Sequence, residues 1–238
     1  MTDVASLWDF DDPAGSEERF RAAADAATGD ERLILQTQVA RALGLQGRYE
    51  EGHAVLDAEE VAAGGTEVGV RRTLERGRLL RSADRPREAR PLFVHAALTA
   101  GAAGLDALHV DALHMVALVG APAEQLALTE EALAVARTSS DPAARAWEPS
   151  LLNNLAMAHA DAGDWSAALA GFEEALVARA RLGDDRRTRT ARWLVAWALR
   201  NLDRREEALA IQETLRAELD SLGEQGPYVD EELELLRR

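Results

Sequence analysis

Residues 151–176 read LLNNLAMAHADAGDWSAALAGFEEAL, and the spacing of their small and large residues decides the fold. Ala156 is followed twelve residues later by Ala168 and seven after that by Ala175, with Gly163-Asp164 between them as a helix stop and restart. The same interval of 12 and then 7 recurs as Gly77, Ala89, Ala96, and with decay as Ala40, Gly52, Glu59 and as Ala196, Ala208, Leu215. A weaker copy runs Leu113, Gln125, Ala132; successive copies are offset by 37, 36, 43 and 40 residues. A fixed period of this length is the signature of stacked supersecondary units. Twelve residues set the first two small positions on the two arms of a helical hairpin, where the arms cross most closely. A large side chain there would cost about 1–3 kcal/mol in overpacking. Leu56, Phe93 and Phe172 are expected to fill the space beside them.

Turn signals fall where hairpins need them. Gly47-Arg48-Tyr49, Asp84-Arg85-Pro86, Gly120-Ala121-Pro122 and Gly163-Asp164-Trp165 lie inside pairs; Gly64-Gly65-Thr66, Gly101 to Gly104, Ser139-Ser140-Asp141-Pro142 and Gly183-Asp184 lie between them. Asp141 before Pro142 reads as a cap and a first helical residue. The run from Asn153 to Leu176 resembles a tetratricopeptide repeat, and Pro149 with Leu151 to Ala156 resembles the longer repeats of kinesin light chains. The resemblance extends over about residues 31–220. It implies an all-α, right-handed superhelical solenoid of about five helix-turn-helix pairs over 30–222. A helix at 16–26 and another at 227–237 are expected to cap the apolar ends, which a solenoid requires. One domain over 1–238 follows from that reading.

Composition agrees. The chain of 238 residues is 47% hydrophobic but only 5% aromatic, rich in the helix formers Ala and Leu, and no alternating Val/Ile/Thr run argues for a sheet. With no cysteine, disulfides and thiolate chemistry are excluded. The opening Met1 to Ser6 lacks a signal-peptide pattern and no apolar run nears about 18 residues, so a cytoplasmic protein with no membrane partner is expected. All 27 basic residues are Arg, as a GC-rich bacterial genome would produce. The net charge of −15 has the wrong sign for a nucleic-acid grip, so no nucleic-acid partner is expected.

No Gly-rich phosphate loop, nucleophile elbow or HExxH is present, so the chain is expected not to be an enzyme and to carry no cofactor. His109 and His114, near Asp106 and Asp111, are metal-ligand types, but five residues rotate the imidazoles apart on a helix and no metal site is expected. The run Arg186, Arg187, Arg189 and Arg192 reads as a solvated helix start.

The resemblance further implies that the first helix of each pair lines a concave groove. The expected ligand-binding residues are Arg41, Arg78, His114, Asn153, Asn154, Met157, Trp193, Trp197 and Arg200. Acids crowd the second helices instead, at Glu50-Glu51, Glu59-Glu60, Glu130-Glu131, Glu173-Glu174 and Glu206-Glu207. Arg forks suit carboxylates, Asn mates with peptide backbone, and Trp and Met supply desolvated contact. Each residue has a plainer alternative. Arg41 and Arg78 would serve as well in ion pairs with nearby acids, Asn153 and Asn154 in bonds between repeats, and Trp193 and Trp197 in packing under the last helix. The function expected is a protein- or peptide-binding scaffold preferring a carboxylate-bearing extended segment. A sensor of a small peptide or anionic metabolite is the alternative, and self-association through Leu233, Leu235 and Leu236 a third.

Overall fold

The structure is a computed structural model that describes residues 2–58 and 63–238, so Glu59 and Glu60 lie outside the described residues. Two compact units emerge, Met1–Val135 and Ala136–Arg238. Each is built from consecutive antiparallel helices, and no strand occurs among the described residues.

The first unit opens with a short 3₁₀ turn at Val4–Leu7, followed by α1 (Pro13–Ala26), α2 (Gly29–Leu45) and α3 (Tyr49–Asp57). It continues through α4 (Thr66–Ser82), α5 (Pro86–Ala102) and α6 (Asp106–Val119). The division between the units falls within α7 (Pro122–Thr138). The N-terminal helix starts earlier than the sequence pattern predicts, because Asp12 caps it, its Oδ1 accepting from the Gly15 N–H at 3.0 Å, and Pro13 fits the first turn.

Small residues seat the hairpins as the repeat predicts. A Cβ added to Gly52 would stand 3.2 Å from the Ala40 carbonyl oxygen, so this pair does mark a close crossing. A Cβ added to Gly77 would overlap the Phe93 ring, which is fully buried on the partner helix. Leu56 and Phe172 are buried likewise. The weak copy departs from the pattern, since Gln125 is exposed and its amide nitrogen donates to the Gly120 carbonyl at 3.2 Å.

The second unit holds the one-turn α8 (Pro142–Arg145), then α9 (Glu148–Asp161), α10 (Trp165–Ala180), α11 (Asp185–Asn201), α12 (Arg205–Leu222) and α13 (Pro227–Arg237). Asp141 caps α8 as expected, accepting from the Ala143 N–H at 2.9 Å. Ala156, Ala160, Ala168, Phe172, Ala196 and Ala208 share one core. In this copy Gly171 also seats the crossing, since a Cβ added there would lie 2.9 Å from that of Ala156. Leu215, Leu219, Val229 and Leu233 form a second cluster, through which α13 covers the last hairpin. Leu236 is also buried, whereas Leu235 faces outward.

The acids expected on second helices are exposed at Glu50, Glu51, Glu130, Glu131, Glu173, Glu174, Glu206 and Glu207. Several are held by arginines, as in Arg48–Glu51 at 2.6 Å and Arg204–Glu207 at 2.7 Å.

Candidate functional site

In the N-terminal unit three successive first helices, α2, α4 and α6, bring Arg41, Arg78 and His114 together. Helical spacing puts Glu75 and Arg78 on one face of α4, and the Arg78 guanidinium donates to both Glu75 and Asp111 of α6. Burial pushes the Asp111 carboxyl up, but the charges of Arg78 and Arg41 outweigh it and hold it below the usual carboxylate range. Burial likewise pulls Arg78 down, and Asp111 and Glu75 reverse this and raise it. The pairing alternative for Arg78 is thus realised.

Arg41 differs. Its guanidinium lies over the Trp8 and Phe10 rings, 5.4 and 5.6 Å from their centroids, and makes no hydrogen bond or ion pair with a described residue. Burial, with the like charge of Arg78 second, lowers its pKa. Trp8 reaches this place because residues 2–12 lie back over α1 and α2. Its ring stacks on Phe10 at 4.8 Å and meets Phe20 edge-on at 4.9 Å, while its Nε1–H donates to Gln38 Oε1 at 3.2 Å. Neither Trp8 nor Phe10 was legible as part of the site, since residues 2–12 carry no periodicity.

Other residues of these first helices belong to the core. Ile34, Thr37, Gln38, Leu74 and Val110 are buried, because α2, α4 and α6 pack on one another and α1 covers α2. His114 is half-buried, and burial pushes its pKa down against the pull of Asp111.

These shifts fix the sign of a pH dependence. His114 and Asp111 both bind protons more weakly folded than unfolded, so stability is present above their unfolded pKa values and falls as pH falls. The decline should begin gently below about pH 6.5 and steepen below about pH 4. Thermal unfolding of the chain at pH 7, 5 and 3 checks this, and an unfolding temperature that rises on acidification would contradict it.

In the C-terminal unit Asn153 and Met157 stand one turn apart on α9, and Trp193 and Trp197 one turn apart on α11. All four are half-buried, as is Asn154. The two indoles stack at 6.2 Å with 6° between planes, Trp165 meets Trp197 edge-on at 4.7 Å, and Tyr228 of α13 meets Trp193 at 6.2 Å. Trp193 Nε1–H donates to the Tyr228 carbonyl at 3.2 Å, so this ring also packs under the last helix. Met157 and Trp197 rest on the same core cluster. Arg200 is spoken for, its guanidinium donating twice to the buried carboxylate of Glu232 at 2.7 and 3.0 Å. A cavity of about 400 Å³ lies between the start of α11, the end of α12 and the start of α13, with Thr190, Trp193, Leu215 and Tyr228 in its walls. Its α13 side realises the packing of Trp193 under the last helix that the sequence left open beside binding.

Among the described residues no helix is long and apolar enough to cross a membrane. No group of three or more His, Asp or Glu among them is placed to hold a metal ion.

Comparison with known proteins places this geometry in a family context. Residues 147–217 match the family model described as tetratricopeptide repeat. No curated protein matches the sequence. Among solved structures, a kinesin light chain of Podosopora anserina with nearly identical TPR-like repeats superposes with a TM-score of 0.62 at 19% identity, covering 81% of this chain and 96% of that one. BtubC of P. vanneervenii gives 0.68 at 15% identity, covering 95% of each. A signal transduction ATPase with a tetratricopeptide repeat sensor, from Pyrococcus horikoshii, gives 0.73 at 14% identity, covering 94% of this chain and 36% of that one. At these identities the likeness is one of fold, the all-α helical-repeat solenoid.

Proposed function

We propose that this chain, whose residues 147–217 are a tetratricopeptide-repeat segment, is a non-enzymatic module that binds an extended peptide segment of a protein partner. One observation carries the reading: Asn153, Met157, Trp193 and Trp197 stand partly open to solvent on first helices, while the paired acids Glu173-Glu174 and Glu206-Glu207 project from α10 and α12. Stacked indoles are a rigid apolar platform that costs little conformational entropy to present. An amide beside them can pair with both an N–H and a carbonyl of an extended backbone.

Arg78 and Arg200 are already neutralised by Glu75, Asp111 and Glu232, so they shape the faces on which they lie rather than offering charge.

A phage-displayed random peptide library selected against the full chain tests the proposal. It should enrich a shared sequence motif, and Asn153→Ala should weaken the selected peptides about fivefold to tenfold, the loss of one to two backbone hydrogen bonds. Circular dichroism should be unchanged, since Asn153 is not a core residue. Enrichment of no sequence, or binding indifferent to Asn153→Ala and Trp197→Ala together, would contradict it.

A further inference from the structure

A cavity of about 200 Å³ opens in the N-terminal unit among α2, α4 and α6, with Arg41, Leu45, Glu75, Arg78, Arg81 and Met115 in its wall. Two of these groups are unsatisfied, and with opposite polarity. Glu75 is 2% exposed; one carboxylate oxygen accepts from Arg78, but Oε2 is buried without any hydrogen-bond partner. The Arg41 guanidinium has only the faces of Trp8 and Phe10 against it and no acceptor among the described residues. The two are near enough for the Glu75 charge to raise the Arg41 pKa against burial. A buried acceptor or donor left unmade is costly, so a chain that keeps both in one cavity presents a ligand-shaped demand.

That demand defines the ligand. A lone anion would answer Arg41 and sit against the Glu75 carboxylate; a lone cation would do the reverse. A molecule carrying both charges satisfies the two groups at once. The rest of the wall combines Arg78, Arg81 and Ser82 with apolar surface from Leu45, half exposed to solvent at 50%, and Met115, buried at 6%. The volume is below the roughly 300–1,000 Å³ typical of sites for drug-sized ligands. We propose that this cavity is a binding site for a small zwitterion of the free α-amino acid kind. Its carboxylate lies in the Arg41 fork, its ammonium donates to Glu75 Oε2, and an aliphatic side chain rests on Leu45 and Met115. This site is separate from the peptide-binding face of the C-terminal unit and does not depend on it.

Calorimetric titration of the full chain with leucine, 4-methylpentanoate and 3-methylbutylamine tests the assignment. Leucine should bind, and both analogues, each lacking one charge, should bind at least tenfold more weakly. Glu75→Gln keeps an acceptor for Arg78 but removes the charge facing the ammonium, and should weaken leucine at least tenfold while leaving peptides selected on the other unit bound as before. Arg41→Met should do the same from the carboxylate side. No binding by leucine or any other aliphatic amino acid at millimolar concentration, or equal binding by 4-methylpentanoate, would overturn the proposal. Loss of peptide binding with amino-acid binding intact would instead count against the functional reading above.

Discussion

Arg78→Ala is expected to destabilise the N-terminal unit by about 3–5 kcal/mol, the cost of leaving buried charge without its partner. The Glu75 side chain is 2% exposed and that of Asp111 is 12%, so neither carboxylate can turn to water once the guanidinium is gone. Arg41 stands nearby but bonds neither of them. A large share of the loss should disappear when all three residues are made apolar together, because such triads are often replaceable at little net cost. Urea unfolding followed by circular dichroism, with hydrogen exchange of α4 amides to assign the loss to this unit, gives the answer. A loss below about 1 kcal/mol would mean that the triad behaves as a surface ion pair.

Phe93→Ala should cost about 3–5 kcal/mol for a different reason, the cavity left by a fully buried ring. The opposite wall is the bare backbone at Gly77, which has no side chain to relax into the void. The pair should therefore be strongly coupled. In the parent chain Gly77→Ala pushes a methyl into the ring and is expected to destabilise by about 1–3 kcal/mol. In the Phe93→Ala background the same substitution should become favourable, with about 1 kcal/mol from helix propensity. A double-mutant cycle on unfolding free energies measures this change of sign. Additive effects would show that the small residue does not serve to seat the ring.

The Gly77–Phe93 contact was legible in advance because both positions are set by local rules, a small residue at a crossing and a large one a turn beyond the next small residue. Some turns were legible for the same reason: Gly47 and Gly163 take positive φ, as helix stops should. Asp84 and Asp203 do so as well, at φ of 58° and 59°, and there a carboxylate residue holds a place where glycine is commoner. What the sequence concealed lies between elements. Arg78 and Asp111 are 33 residues apart, and their pairing depends on the rotation of α4 against α6, which no local pattern encodes. Arg41 was marked as a cation facing inward, but the aromatic residues beneath it come from a stretch before the first helix. Trp193 was left open between packing and binding, and the structure gives it both a contact with Tyr228 and partial exposure.

The proposed function puts the peptide on the first helices of the C-terminal unit, with their rings and amides, and not on its acid-bearing second helices. Hydrogen exchange on the full chain with and without a library-selected peptide tests it most directly. Protection is expected along α9 and α11, around Asn153, Met157 and Trp197, with the exposed acid-bearing turns of α10 and α12 unchanged. Protection confined to α10 and α12 would contradict it.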